Sequence, residues 1–115
     1  KSDIVSVHAP LNENTEGLMD KKAFEKMKST SIFLNLGRGP IVVEKDLAEA
    51  LSQNIIGAAG LDVLCVEPMA EDNPLRKILD SNKILITPHI GWAGVETRVR
   101  LMKIIEGQVE EFFYS

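Results

Sequence analysis

Apolar positions along this chain alternate between two habits. Four short, β-prone runs stand out: Asp3-Ile4-Val5-Ser6-Val7, Ser31-Ile32-Phe33-Leu34-Asn35-Leu36, Gly57-Ala58-Ala59-Gly60-Leu61-Asp62-Val63 and Lys83-Ile84-Leu85-Ile86-Thr87. Bounded by turn residues, they predict strands at about residues 4–8, 31–36, 57–63 and 84–87. Between them the spacing turns helical. Ala23, Phe24 and Met27 fall on one side of a helix that Asp20 can cap, and Lys28-Ser29-Thr30 hands over to the second strand. Glu44 to Gln53 gathers Leu47, Ala48 and Leu51 on one face, with acidic residues in a first turn that suits the helix dipole. A long connection marked by Pro68 and Pro74 follows, with a short turn around residues 75–79, and its length suggests function. From about Gly94 to Phe113 a long helix is predicted. Its apolar residues (Val95, Val99, Leu101, Met102, Ile104, Ile105, Val109, Phe112 and Phe113) exceed one stripe, so it is expected to pack on the sheet and on a further partner. Strands alternating with helices predict an α/β fold: a doubly wound parallel sheet of about four strands with crossover helices.

Length and composition narrow the class. At 115 residues the chain is one domain or part of one. Thirteen basic against seventeen acidic residues give a net charge of −4, with no Lys/Arg run to track a phosphate backbone, so nucleic acid is not an expected partner. The single Cys65 has no second cysteine for an internal disulfide or a zinc pair, and His8 and His89 lack a second ligand at helical spacing, so no metal is expected. No apolar stretch approaches about 18 residues, and no secretory segment opens the chain. The expectation is a cytoplasmic protein without a membrane partner. Because Lys1 comes first and a strand follows at once, the chain is also expected to start in mid-fold.

Three groups stand just past strand ends: Arg38, Glu67 and His89. Parallel α/β sheets bind ligands outside the carboxyl ends of their strands, so a cation, a carboxylate and an imidazole could converge on one edge. Each also has a plainer reading. Arg38 could be a turn cation in water, and His89 a strand-end histidine bonded to backbone. Together they offer more, because a carboxylate stabilises a protonated imidazole and fixes its tautomer, giving a general acid or base usable near neutral pH. An Arg fork can hold a substrate carboxylate and polarise an adjacent carbonyl. Gly37-Arg38-Gly39 starts like a dinucleotide fingerprint, yet Val42 occupies the third glycine's place and Pro40-Ile41 does not open a helix. It reads as a turn.

The blocks Asn35-Leu36-Gly37-Arg38-Gly39-Pro40-Ile41-Val42, Gly60-Leu61-Asp62-Val63 through Glu67-Pro68, and Thr87-Pro88-His89-Ile90-Gly91, in that order, resemble the D-isomer-specific 2-hydroxyacid dehydrogenases. Asp3 to Leu11 with Asn14-Thr15 extends the likeness over nearly the whole chain. Within the family the similarity is greatest to glycerate dehydrogenases, also called hydroxypyruvate reductases, through Leu64 to Pro68, Asp72 to Leu75 and Trp92. The resemblance implies a partial Rossmann-like fold, NAD or NADP as cofactor, a small 2-keto or 2-hydroxy acid as substrate, and a homodimer. It implies Arg38 as substrate clamp, His89 as proton donor and Glu67 as its support. Asp62, His8, Pro10, Thr15, Leu36 and Gly37 would line the cofactor, and Trp92 would wall the substrate pocket. Two plainer roles stay open: Asp62 in an Asx turn and Trp92 as a gap-filling aromatic.

The family's G-x-G-x-x-G turn and its substrate-binding domain have no counterpart in these residues. The expectation is therefore the C-terminal part of a nucleotide-binding domain, residues 1–115, that is inactive alone. A non-enzymatic, nucleotide-regulated binding protein of corepressor type is the competing class.

Overall fold

A computed structural model describes residues 2–90 and 95–114. Four strands, β1 (Ile4–Val7), β2 (Ile32–Asn35), β3 (Ala58–Leu61) and β4 (Ile84–Ile86), form one parallel sheet in the order β1-β2-β3-β4. Two helices lie between them, α1 (Lys21–Glu25) and α2 (Glu44–Ser52), and α3 (Val95–Tyr114) follows β4. The third crossover is irregular except for the 3-10 turn Pro74–Ile78. The α/β Rossmann-like architecture is as the sequence predicts.

The register decides which side chains meet. Val5, Phe33, Ala59 and Ile84 are aligned across the sheet, as are Val7, Asn35, Leu61 and Ile86. These two rows point to one face, since strand side chains alternate. Phe24 of α1, Leu47 and Leu51 of α2, and Leu75 all pack there with no exposed surface. Phe24 meets Phe33 edge to face at 5.3 Å. Burying one such ring contributes roughly 1.5–3 kcal/mol. Consecutive neighbours joined by right-handed crossovers place every described crossover on the same side of the sheet. The opposite face carries Ile4, Ile32 and Leu85, which are exposed.

Local signals explain the ends of the elements. Asp20 caps α1 by accepting the Ala23 N–H at 3.0 Å. Glu44 and Asp46 occupy the first turn of α2, where the helix dipole favours carboxylates. Asp46 also accepts the Lys21 N–H at 2.9 Å and so fastens α1 to α2. Residues 39–41 form a single 3-10 turn, where the sequence suggests only a non-helical turn.

The long helix departs from expectation. Val99, Met102, Ile104, Ile105 and Val109 are all exposed, so none of these packs on the sheet. A helix of 20 residues is about 30 Å long, whereas strands of three or four residues span only about 10–13 Å, so α3 outreaches the sheet. The side chains of Val95, Leu101, Phe112 and Phe113 lie outside the described residues. No described helix is long and apolar enough to cross a membrane.

Candidate active site at the carboxyl edge

All four strands end on the same edge, and each hands its next residues to that edge. His8 follows β1, Leu36-Gly37-Arg38 follow β2, Asp62 follows β3, and Thr87-Pro88-His89 follow β4. Parallel strands make this convergence unavoidable.

The Arg38 turn is built by Asn35, the last residue of β2. Its side chain is 1% exposed; Nδ2 donates to the Arg38 carbonyl at 3.0 Å, and Oδ1 accepts the Gly37 N–H at 3.1 Å. Two glycines let backbones close in around it. A Cβ on Gly37 would lie 2.8 Å from the Ala9 carbonyl oxygen, and one on Gly39 would lie 2.0 Å from the carbonyl carbon and oxygen of Leu64. Arg38 itself is exposed and donates to the Gly37 carbonyl at 2.9 Å. Among the described residues it forms no ion pair.

Glu67 and His89 meet directly. Oε2 of Glu67 lies 3.0 Å from Nδ1 of His89, while Oε1 accepts the Leu64 N–H at 3.0 Å. The Leu64 N–H, more than His89, holds the Glu67 carboxyl below its usual range, against the opposing effects of burial and of nearby Asp62. With Nδ1 committed to Glu67, Nε2 is the imidazole nitrogen left for other chemistry. A cavity of about 400 Å³ adjoins the pair, lined by Leu64, Glu67, Pro68, Met69, Ile86, Thr87, Pro88 and His89. Arg38 does not line it, although the Arg38–Gly39 turn packs against Leu64, which does.

Asp62 links β3 to the His89 segment. Its Oδ1 accepts from the Thr87 hydroxyl at 2.6 Å and from the Ile90 N–H at 2.7 Å. Between those two anchors His89 has φ of +57°, a left-handed conformation disfavoured for a side chain with a Cβ. The two ties hold it there. The other residues expected to line a cofactor divide. His8, Pro10 and Leu36 are exposed at the ends of β1 and β2, where the Leu36 N–H donates to the Val7 carbonyl at 3.0 Å. Ser6 Oγ is 2.6 Å from His8 Nε2. The Thr15 hydroxyl donates to the Pro10 carbonyl at 2.7 Å and accepts the Asn12 N–H at 2.9 Å, so it braces its own loop. Trp92, expected to wall the substrate pocket, lies outside the described residues.

Asn35, Gly39, Thr87 and Asn73 lie in the motif blocks without a role assigned to them, and Glu44 lies outside the blocks. Asn35 left a signal, a polar residue inside an apolar strand run, which in a sheet core must be satisfied by nearby backbone. Gly39 left none beyond the turn.

An α/β sheet with an imidazole–carboxylate pair beside a cavity at its carboxyl edge is an arrangement that can seat a ligand there. Residues 1–91 match the family model described as "D-isomer specific 2-hydroxyacid dehydrogenase, NAD binding domain", and the chain belongs to that family. It is 47% identical over 112 residues to a hydroxypyruvate reductase of Blautia hydrogenotrophica, covering 97% of this chain and 34% of that protein. Against glyoxylate/hydroxypyruvate reductase B of Enterobacter sp. it is 43% identical, covering 96% and 36%. Among solved structures, a probable 2-hydroxyacid dehydrogenase from Rhizobium etli, in complex with NADP, HEPES and L(+)-tartaric acid, superposes with a TM-score of 0.76 at 34% identity. That match covers 97% of this chain and 35% of the other. The chain thus spans about a third of the length of the curated relatives it matches.

Proposed function

We propose that these residues are the C-terminal part of the NAD-binding domain of an NAD(P)-dependent D-2-hydroxyacid dehydrogenase that interconverts hydroxypyruvate and D-glycerate. The observation that carries the proposal is the 3.0 Å contact between Glu67 and His89, beside a cavity at the carboxyl edge. The 47% identity to a hydroxypyruvate reductase supports the choice of substrate. The exposed His8, Pro10 and Leu36 at the ends of β1 and β2, which Gly37 lets approach backbone to backbone, support a place for the nucleotide there.

A bound nicotinamide supplies the hydride. The residues of this chain do the orienting and move the proton. Arg38 grips the substrate carboxylate with its fork and aligns the neighbouring carbonyl. Glu67 accepts from Nδ1–H of His89 and stabilises the protonated ring, so that Nε2–H points away from the pair and gives its proton to the developing alkoxide. In the reverse direction the neutral ring takes the proton from the hydroxy acid. A cytoplasmic location and a homodimer belong to the same proposal, the latter supported by the exposed apolar residues of α3.

The test is turnover by the full-length dehydrogenase with NADH or NADPH and hydroxypyruvate, glyoxylate or pyruvate. His89→Ala and Arg38→Ala are each expected to lower kcat/KM by about 10²–10⁴-fold. Full turnover in both variants overturns the assignment. The 115 residues alone are expected to be inactive, since they contain no G-x-G-x-x-G turn to seat the pyrophosphate.

A further inference from the structure

We propose that Glu44, at the start of α2, is a positioning residue for Glu67, clasping both ends of the irregular segment 65–73 with its two carboxylate oxygens. This rests on the activity proposed above. Oε2 accepts the Cys65 N–H at 3.3 Å, two residues before Glu67, and Oε1 accepts from Nδ2 of Asn73 at 3.2 Å. Asn73 is 7% exposed and uses its own Oδ1 to accept the Leu75 N–H at 2.9 Å, capping the 3-10 turn that buries Leu75. Cys65 to Pro68, by contrast, is exposed and belongs to no helix or strand. The two ends of segment 65–73 are tied to α2, whose Leu47 and Leu51 are buried in the core, in addition to the bonds that Glu67 makes with Leu64 and His89.

A carboxylate in the first turn of a helix has a simpler explanation in the dipole, and the two acidic residues of α2 allow a comparison. Asp46 accepts from the Lys21 N–H and ties α1, not the segment that carries Glu67. Glu44 sends both oxygens to the segment that carries Glu67. The donor and acceptor pattern is also directional. The substitution Glu44→Gln leaves one accepting oxygen and turns an NH₂ toward the other donor, while Asn73 cannot flip without losing its bond to Leu75. Adding Asn73→Asp keeps the bond to Leu75 with one oxygen and lets the second accept from the new amide. The pair can thus be reversed without changing its shape.

The experiment uses the full-length dehydrogenase with hydroxypyruvate and its preferred nicotinamide nucleotide. Glu44→Gln and Asn73→Asp are each expected to lower kcat about 10-fold with KM for the nucleotide changed less than about 2-fold, and the double variant is expected to recover to within about 3-fold of wild type. Combined with Glu67→Gln, Glu44→Gln is expected to add less than about 2-fold, because both act through one carboxylate. Asp46→Ala serves as control, losing stability without losing kcat. A double variant as slow as the slower single, or an Asp46→Ala loss equal to that of Glu44→Gln, overturns the proposal. Amide exchange at Cys65 gives a readout independent of turnover: faster by about 10-fold in Glu44→Gln and restored in the double variant. If wild type turns over no 2-keto acid but exchange follows this pattern, the clasp stands and the activity reading fails; unchanged exchange overturns the clasp itself.

Discussion

Replacing Gly39 with alanine adds a single methyl group, yet the structure assigns it a large cost. The added Cβ would lie 2.0 Å from both the carbonyl carbon and oxygen of Leu64, and 2.4 Å from the Cys65 nitrogen. Relief requires the Arg38 turn and the Leu64 backbone to separate by more than 1 Å, since ordinary contact begins near 3.4 Å. No side chain can rotate away, because all three atoms are main chain, and both stretches of backbone are fixed: one by Asn35, the other by Glu44 and Glu67. Overpacking of this kind costs about 1–3 kcal/mol where side chains can yield, so about 3 kcal/mol is expected where they cannot. For a domain of about 100 residues that corresponds to roughly a 12–24 °C fall in Tm. The assay is thermal and urea unfolding followed by circular dichroism. Gly107→Ala is the matched control: nothing lies within 4 Å of its Cβ, and alanine is favoured over glycine by about 1 kcal/mol in a helix interior. A Gly39→Ala variant within about 0.5 kcal/mol of wild type would refute the reasoning, because typical surface substitutions do no more.

Three further outcomes are expected. Glu67 is held below its ordinary value of 4.5, so the stability it contributes is fully present above that value and is lost as pH falls through the lowered one. The gap in unfolding free energy between wild type and Glu67→Gln should therefore narrow only in acid below that range, and a gap constant down to about pH 2 would contradict the carboxylate's role. At position 89 the usual ranking should invert: His89→Gly is expected to be more stable than His89→Ala by about 1 kcal/mol, measured by urea unfolding, because both lose the imidazole and only glycine fits a φ of +57° freely. Partial desolvation of the otherwise exposed residue's thiol, aided by the Glu44 carboxylate, pushes Cys65 up to about 11. Iodoacetamide at about pH 8 should thus modify it about 100-fold more slowly than the urea-unfolded chain, and equal rates would rule out that environment.

The α/β alternation was legible because burial imposes period. Strand runs and helix stripes are written in which residues avoid water, so β1 to β4, the Asp20 cap and the Leu47–Leu51 face follow from the chain itself. The carboxyl-edge location of Arg38, Glu67 and His89 followed from parallel topology. What sequence could not supply is which groups brace the edge. Glu44 and Asn73, 29 residues apart, meet only when the crossovers have packed, whereas Asn35 acts locally on Gly37 and Arg38. Gly39 is a turn glycine by pattern and a point of backbone contact by structure, and one letter cannot distinguish these. The breadth of apolar residues on α3 led to an expected packing on the sheet, yet Val99, Met102 and Val109 are exposed.

Strand order in this sheet is the same as chain order. During synthesis, each new strand can therefore join the open side of the last without displacing anything already in place, and domains do assemble from the N-terminal side as the chain emerges. The Arg38 turn gains its Asn35 bonds with β2 and its packing against Leu64 with β3, which also brings Glu67. His89 arrives last, on β4, and only then is Asp62 able to close over Thr87 and Ile90. The Glu67–His89 contact is thus the last of these edge contacts to form, and a nascent chain stalled before β4 holds Arg38 and Glu67 but no imidazole beside them.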